Sequence, residues 1–196
     1  MGAASRTATT AHDVGARERI LGTAYELFAQ RGIRGVGIEE VIARAGVAKA
    51  TLYRHFPSKD DLVIAFLQLR EERWTLGWVE AEARARRTAP EEQLLAIFDL
   101  FDEWFHGDDF EACVFINVVL ELGTDNPVGQ ASIQHLENIR AVVRRLAVEA
   151  GLRDTESFAR SWHILMKGSI VAAAEGDTDA AKRAQRMAKL LMEQHR

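Results

Sequence analysis

Residues 32–63 read GIRGVGIEEVIARAGVAKATLYRHFPSKDDLV, a run in which two short helices meet at a glycine. Apolar residues recur at i, i+3, i+4 and i+7 from Ile38 to Ala45, a spacing that predicts the first of these helices. Gly46 ends it, because glycine most readily takes the left-handed conformation that follows a helix. A further short helix, about Lys49–His55, comes directly after the turn. Two short helices joined in this way are typical of a helix-turn-helix motif.

The residues before this stretch predict one more helix and an arm. Apolar residues keep to one helical stripe from Val14 to Gln30, and Gly32 stops that helix. Residues 1–12 are small and polar without an apolar period, which predicts a flexible N-terminal arm. The sequence therefore predicts a three-helix head over residues 13–58.

Residues 59–196 predict a second domain that is also helical. Prolines stand at the starts of some of its helices and glycines just past the ends of others. The expected helices span about 59–86, 90–106, 108–122, 128–150, 155–175 and 178–194. Because no alternating strand pattern with hairpin signals occurs, we predict an all-α fold of about nine helices, a three-helix head followed by a larger helical domain.

The composition is that of an ordinary globular protein, with 47% hydrophobic and 28% charged residues. No run reaches the roughly 18 apolar residues of a membrane span, and the N-terminus lacks the apolar core of a signal peptide. We therefore expect a cytoplasmic protein without membrane contact. The single cysteine, Cys113, forms no internal disulfide and leaves no cysteine-based zinc site.

Charge divides unevenly along the chain. The net charge is −4, yet residues 1–56 carry eight Lys and Arg against five Asp and Glu, a local excess of +3. The remainder therefore carries −7. A basic module on an acidic body suits a protein that approaches phosphates with one end.

The helix after the turn carries side chains suited to double-stranded DNA. Lysine and arginine supply charge, hydroxyls suit phosphate oxygens, and a threonine methyl suits a thymine methyl. Leu52 and Phe56 are expected to point inward and Tyr53 outward, which favours DNA contact over a three-helix bundle whose surface is only incidentally basic. The expected outward residues are Lys49, Ala50, Thr51, Tyr53, Arg54 and His55.

The same stretch resembles the signature of the TetR family of repressors, most specifically in AGVAKATLYRHFPSKDDL over residues 45–62. The resemblance covers roughly a quarter of the chain. It implies DNA contacts from the outward residues of the second short helix, and from Lys59 a contact with a backbone phosphate. It also implies a homodimer that binds a palindromic operator in double-stranded DNA and leaves it when a small molecule binds in the second domain.

Three positions depart from the family pattern, which usually has hydroxyl residues where this chain has Val36, Gly37 and Ala48. Such hydroxyls cap helices, and losing one cap costs about 0.5–2 kcal/mol. Either operator affinity is weak or nearby arginines compensate. These arginines are Arg34, Arg44 and Arg54. The departures also leave open an alternative function, a helical ligand-binding or adaptor protein with a degenerate DNA-binding head.

By the same resemblance, the second domain encloses an effector. Large aromatic residues at helical spacing, with a few polar groups among them, mark its wall. The predicted pocket residues are Trp74, Trp78, Phe101, Phe105, Cys113, Asn117, Leu120, Trp162 and Met166. The aromatic wall favours a small apolar or aromatic effector, although core packing also explains an aromatic stripe. Cys113 is either an inert buried thiol or a sensor of oxidants.

Small and apolar residues on the last two helices permit close packing between helices. The resemblance implies a four-helix bundle between two subunits, and packing inside one chain is the alternative for the last helix. The predicted dimer residues are Gly168, Val171, Ala172, Ala184, Met187 and Leu191.

Other kinds of site have less support in the sequence. An enzyme with Cys113 as nucleophile and His163 or His106 as base lacks a phosphate-binding glycine loop, paired catalytic carboxylates and hydrolase motifs. Acidic residues at 108, 109 and 111 suggest a metal beside His106, but they stand where helix caps are expected. We therefore expect no enzymatic activity, no cofactor and no metal.

Overall fold

The computed structural model describes residues 4–108 and 110–196, with side chains from residue 15 onward. Its α-helices are α1 (Ala4–Arg31), α2 (Ile38–Ala45), α3 (Lys49–His55), α4 (Lys59–Arg70), α5 (Ala81–Arg86), α6 (Pro90–Phe105), α7 (Val114–Leu122), α8 (Pro127–Glu149), α9 (Thr155–Ala174) and α10 (Ala180–Gln194). A π-helical segment, Glu71–Glu80, joins α4 to α5 without a break, and the three form one long helix. With the long helix counted once, these two described ranges hold nine helices and no strand, which confirms the all-α prediction. None of the described helices is long and apolar enough to cross a membrane.

The first helix starts earlier than the sequence predicts. α1 begins at Ala4 rather than at Val14, and no proline stands between these residues to stop it. Residues 4–12 of the predicted flexible arm belong to α1, residues 1–3 lie outside the described residues, and the flexibility of the arm stays a prediction.

The start of α7 also differs from the prediction. The sequence predicts helix from Asp108, whereas α7 begins at Val114. Ala112 takes a left-handed φ of 59° and Cys113 is extended, and neither conformation continues a helix. Acidic residue 109, expected to help cap this helix, lies outside the described residues. A loop therefore separates α6 from α7, and part of it borders the cavity described below.

The head, α1 to α3, packs around apolar side chains. Ile20 of α1, Val41 of α2 and Leu52 of α3 are each 0% exposed. Val36, in the loop before α2, is 0% exposed as well. The family pattern has a hydroxyl residue at this position. Here the apolar Val36 side chain packs in the core instead.

The long helix joins the head to the body, α6 to α10. Its first turns pack on α1, where the Phe66 ring meets those of Tyr25 and Phe28 edge to face at centroid distances of 5.4 and 5.5 Å. Ser58 caps the long helix, because its Oγ accepts the Asp61 N–H at 3.1 Å and its own N–H donates to Asp61 Oδ2 at 2.9 Å. Head and body thus share one continuous, capped element.

α6 is the central helix of the body and packs against α5, α8, α9 and α10. Trp162 of α9 is 0% exposed, and its ring lies 5.3 Å from that of Phe98 and 5.2 Å from that of Phe158. These aromatic contacts join α9 to α6 and form the middle of the body's core.

Candidate nucleic-acid interface and adjoining cavity

The turn between α2 and α3 has the geometry expected of a helix-turn-helix. Gly46 is left-handed, with φ 62° and ψ 43°. Its N–H donates to Ala43 O and the Val47 N–H donates to Ile42 O, both at 3.3 Å. The second of these bonds is the longer closure of a Schellman motif, which ends a helix sharply. α3 therefore starts after a connection of only three residues.

α3 turns one face inward and the other to solvent. Leu52 and Phe56 are 0% and 2% exposed, whereas Tyr53 is 38% exposed. The other outward residues are exposed (Lys49, Ala50, Arg54) or half-buried (Thr51, His55). The outward row holds the hydroxyl, amine and guanidinium groups that the sequence analysis placed there. Its contact with DNA stays a prediction.

Lys49, at the start of α3, has a partner on α2. Its Nζ donates to Glu39 Oε1 at 2.5 Å, and this hydrogen bond to Glu39 raises the pKa of Lys49. The ammonium group therefore stays charged at neutral pH. Glu39 occupies one of the three donors of the ammonium group, so two remain for a phosphate, although the Glu39 charge opposes its approach.

Neither α2 nor α3 has a side-chain cap. Gly37 and Ala48 occupy the N-cap positions in extended conformations, and neither makes a side-chain cap hydrogen bond. The Ala48 carbonyl accepts the N–H groups of Thr51 and Leu52 at 2.9 and 3.2 Å. The first-turn donors of α3 thus depend on backbone and solvent, as expected from the missing hydroxyls.

Lys59, which is predicted to contact a phosphate, has two hydrogen-bond partners within the head. It is half-buried, and its Nζ donates to Ile33 O at 2.6 Å and to Val36 O at 2.8 Å. An ammonium group has three donors, so one remains for another partner. Lys59 fastens the start of the long helix to the loop before α2. Sequence alone does not reveal this contact, because 26 and 23 residues separate the partners.

Arg34 and Arg44 are both exposed on the head. The Arg34 side chain is 71% exposed, with its Nε 3.7 Å from Glu121 Oε1. The Arg34 backbone N–H donates to the same oxygen at 3.0 Å. Glu121 belongs to α7, so this contact attaches the head to the body at a point away from the long helix.

A cavity of about 540 Å³ opens beside the long helix and is bordered by α1, α6 and the loop before α7. Three indole rings form its aromatic wall, with centroid distances of 5.6 Å (Trp74 to Trp78), 5.4 Å (Trp74 to Trp104) and 6.1 Å (Trp78 to Trp104). The other lining residues are Tyr25, Arg70, Arg73, Glu103 and Glu111. The sequence predicts only Trp74 and Trp78 of this set, because the rest come from separate parts of the chain. In the sequence, the charged residue Arg73 beside Trp74 indicates that one edge of the pocket is polar.

Two arginines of the cavity contact the head directly. Arg70 Nη1 donates to the Tyr25 hydroxyl at 2.9 Å. The Arg73 guanidinium lies over the Tyr25 ring, 4.9 Å from its centroid, and the Arg70 guanidinium lies 5.9 Å from the same centroid. Since Tyr25 belongs to α1, the head forms part of the cavity wall.

Three further predicted pocket residues lie close behind this wall. The Phe101 ring is 5.8 Å from that of Trp74, and the Phe105 ring is 5.7 Å from that of Phe101. Cys113 is buried beside a narrow space that Trp74 also borders. Burial raises the pKa of the Cys113 thiol, which favours its protonated, unreactive form.

The structure does not bring the remaining predicted pocket residues to the cavity. Trp162 and Met166 are 0% and 2% exposed inside the body. Asn117 lines a separate cleft of about 200 Å³ between the end of α1 and α7. Leu120 is 79% exposed, which corrects its prediction. Val118, two positions earlier, takes the buried face of α7, and residues two apart on a helix do not share a face.

Five of the six predicted dimer residues lie on the outer surface of α9 and α10. They are Gly168, Val171, Ala172, Met187 and Leu191. Val171 and Met187 are 48% and 50% exposed, but Ala184 is 2% exposed because it packs inside its own chain, which corrects that prediction. Ile164 and Leu190 are not among the predicted dimer residues. They are 64% and 66% exposed along an apolar groove between the two helices.

The histidines considered for other chemistry lie apart from the cavity. His163 is buried, and desolvation together with the nearby charges of Lys167 and Arg140 lowers its pKa to about 3. His106 is exposed, with its Nδ1 2.7 Å from Asp102 O. Within residues 4–108 and 110–196, no group of three or more His, Cys, Asp or Glu side chains is placed to hold a metal ion.

Comparison with known proteins leads to one family. Residues 20–66 match the family model described as bacterial regulatory proteins, tetR family. The crystal structure of a TetR-family transcriptional regulator from Streptomyces coelicolor is 30% identical, with a TM-score of 0.82 over 93% of this chain and 96% of that chain. The reduced form of Escherichia coli NemR has a TM-score of 0.78 over 90% of this chain and 97% of its own, a likeness of fold at 19% identity.

Curated relatives are similar over a shorter stretch. The transcriptional activator FasR of Mycolicibacterium smegmatis is 34% identical over 92 residues, 47% of this chain and 41% of its own. The transcriptional regulator QacR of Staphylococcus aureus is 26% identical over 46% of this chain and 48% of its own. The matched region thus spans less than half of either relative, whereas the structural likeness extends over both head and body.

Proposed function

The chain belongs to the TetR family of bacterial transcription regulators, and from that membership we propose that it is a ligand-responsive repressor. A homodimer binds a palindromic operator in double-stranded DNA, and a small molecule bound in the body releases it. The proposal is carried by the outward face of α3, where a polar and basic row lies opposite the buried Leu52 and Phe56. Helices with such a face enter the major groove in helix-turn-helix proteins.

The side chains around α3 supply the contacts that this role requires. Tyr53 and Thr51 offer hydroxyl groups to phosphate oxygens or base edges, and Lys49 offers the two ammonium donors that Glu39 leaves unused. Ala50 is small enough for close approach to the DNA. The further basic groups are those of Arg34, Arg44, Arg54, His55 and the remaining donor of Lys59.

The homodimer uses α9 and α10. Ile164, Met187 and Leu190 expose apolar side chains along one groove, and a contiguous apolar surface of this kind favours burial against another chain. A second copy related by a two-fold axis covers the groove with the same surface and forms a four-helix bundle. The two heads then face a palindromic site.

The effector site is the three-tryptophan cavity, defined by Trp74, Trp78 and Trp104. Its aromatic wall suits a small apolar or aromatic molecule. Because Tyr25 of the head forms part of the same wall, a ligand there binds one head position better than another and shifts the population between them. Ligand binding and DNA binding then oppose each other by linkage.

Fluorescence anisotropy with the intergenic DNA beside the protein's own gene tests the proposal. We expect tight, salt-dependent binding that unrelated duplex DNA does not compete away. Tyr53→Ala should weaken this binding about tenfold or more, since it removes a contact of roughly 1–3 kcal/mol. Val148→Ala, at an exposed position of the body, is the matched control and should bind like the unchanged protein.

A second function, an adaptor with a degenerate head, is favoured by the uncapped starts of α2 and α3 and by the occupied Lys59. It predicts self-association and ligand binding without any operator-specific binding. Sedimentation of the protein alone, together with the anisotropy experiment, separates the two functions.

The direction of regulation has its own test. The test is a reporter gene in bacterial cells, under a promoter that lies beside the operator. This promoter should be more active when the regulator is absent. Lower activity in its absence would instead indicate an activator.

A further inference from the structure

We infer that the three-tryptophan cavity takes an aromatic acid, whose anionic group binds Arg70 and Arg73 in competition with Tyr25 of the head. This inference rests on the proposed function only in identifying the cavity as the effector site. Separate observations support the aromatic ring of the ligand, its negative charge and its effect on the head.

The aromatic wall sets the shape of the ligand. The indoles of Trp74, Trp78 and Trp104 lie within 6.1 Å of one another, centroid to centroid, so that they form a continuous aromatic surface. Planar fused rings suit such a surface, because offset and edge contacts between rings stabilise the complex beyond simple burial. A cavity of about 540 Å³ accommodates two or three fused rings with a substituent.

The charged part of the cavity wall holds two arginines and two glutamates, and Arg73 is the arginine without an ionic partner among the described side chains. Both oxygens of Glu103 are occupied by Arg86, at 2.5 and 2.9 Å, and Glu111 lies 3.8 Å from Arg70. Among the described side chains, Arg73 has no carboxylate within salt-bridge distance, and its contact is the face of Tyr25. An incoming anion therefore finds a guanidinium without an ionic partner, whereas a cation meets carboxylates whose charge an arginine already offsets.

A further donor belongs to the aromatic wall. The Nε1 of Trp74 is buried and has no hydrogen-bond partner among the described residues. A buried N–H without an acceptor is costly, and a ligand oxygen would remove that cost once the indole turns its buried edge toward the cavity. The unmet groups of the wall are thus donors, which favours a ligand with acceptor oxygens over one with an ammonium group.

The head senses the anion through Tyr25. Arg70 now donates to the Tyr25 hydroxyl at 2.9 Å, and both guanidinium groups lie over its ring. A carboxylate that binds both arginines draws them away from the ring and replaces the hydroxyl as acceptor. α1 then loses these two contacts with the long helix, which shifts the balance between head positions.

Isothermal titration with three probes of one shape tests the charge preference. The probes are naphthalene-2-carboxylate, naphthalene-2-carboxamide and 2-naphthyltrimethylammonium. We expect the carboxylate to bind about tenfold tighter than either of the others, a difference of one charge-assisted pair. Equal or tighter binding of the amide or the cation overturns the inference, and so does the absence of binding by all three.

Variants of Arg73 locate the charge preference. Arg73→Gln should remove most of the preference for the carboxylate, and Arg73→Glu should reverse it in favour of the cation. Arg87→Gln, at an exposed position outside the cavity, should keep the preference. Arg73 is itself exposed, so these variants should fold; a preference unchanged in Arg73→Glu overturns the inference.

Competition with the head is measured through Tyr25→Phe. Without the hydroxyl, the carboxylate should bind a few-fold tighter, because Arg70 no longer has to leave a partner, while amide binding stays the same. Weaker carboxylate binding in this variant counts against the competition. All these titrations are made without DNA, so a failure of operator binding would overturn the proposed function and leave the charge preference intact.

Discussion

Among the described side chains, the head buries apolar residues only, whereas the long helix and body also bury six polar ones. The six are Thr75, Gln93, Ser132, His135, His163 and Ser169. Most of them have a specific partner, such as Ser132, whose Oγ donates to Phe115 O at 3.0 Å, and Ser169, whose Oγ donates to Met166 O at 2.8 Å.

This difference implies that the head and the body are stabilised by different interactions. The head depends on close packing of a few short helices, so its stability should respond to lost volume and little to pH. The body depends in addition on polar groups held out of water, so its stability should respond to protonation. Variants and conditions that act on one region only therefore test the comparison.

The largest effect is expected from Leu52→Ala in the head. Leu52 is 0% exposed, and replacing a buried leucine by alanine costs about 2–5 kcal/mol. The chain's four tryptophans all lie in the long helix and body. The head should therefore melt first by circular dichroism, while tryptophan emission keeps its original transition.

Leu120→Ala, at a 79% exposed position, is the control and should change neither signal. A single transition, shifted equally for both probes, would show that head and body unfold together and that the comparison fails.

Acid should act on the body through His163. Its pKa of about 3 in the folded protein lies below the value of 6.5 for an unperturbed histidine. The unfolded chain therefore takes up a proton that the folded chain does not, so stability falls as pH drops through 6.5 toward 3. Between pH 7 and pH 5 the expected loss is about 2 kcal/mol.

Urea unfolding followed by tryptophan emission at these two pH values measures this loss. His163→Gln, which does not titrate, should lower the overall stability but flatten its dependence on pH. An equal slope in the variant would assign the acid effect to other groups.

Lys59→Met tests how the head is fastened to the long helix. Methionine keeps the length of the side chain but loses both N–H···O bonds to the loop carbonyls of Ile33 and Val36. We expect the head to lose about 1.5 kcal/mol of stability, as for hydrogen bonds from a charged group. The slope of log operator affinity against log salt should also become smaller by about one, because the third donor of Lys59 is proposed to contact a phosphate; an unchanged slope would leave Lys59 only the role of fastening the head.

The smallest effect is a gain, expected from Ala48→Ser. Serine at the N-cap of α3 accepts a first-turn N–H and should stabilise the head by about 1 kcal/mol. Ala43→Ser, at an exposed position inside α2, is the control and should be neutral or slightly destabilising. Thermal melting of the two variants compares them, and equal behaviour would mean that α3 gains nothing from a cap.

The sequence predicts the head better than the cavity for a physical reason. α2, the Gly46 turn and α3 depend on side chains within a few residues of one another, and the bounds of α3 were predicted to the residue. The cavity is assembled from α1, the long helix, α6 and a loop, so that only its tryptophans at 74 and 78 were anticipated. Nothing local marks Tyr25 as their neighbour.

The errors have the same origin. Leu120 and Ala184 were assigned from the apolar character of their helices, but which face of a helix is covered depends on the elements packed against it. The start of α7 was misplaced because the left-handed backbone at Ala112 has no signal in an alanine side chain. Long-range packing decided each of these positions.

The contact between Arg34 and Glu121 gives the head a second attachment besides the long helix. α7 runs from the loop beside the cavity to that contact, and its nine residues make it a strut about 13 Å long. A solid held at two separate points can turn about the line through them but cannot slide. If a ligand in the cavity tilts the head, as proposed, we therefore expect α3 to turn about this line.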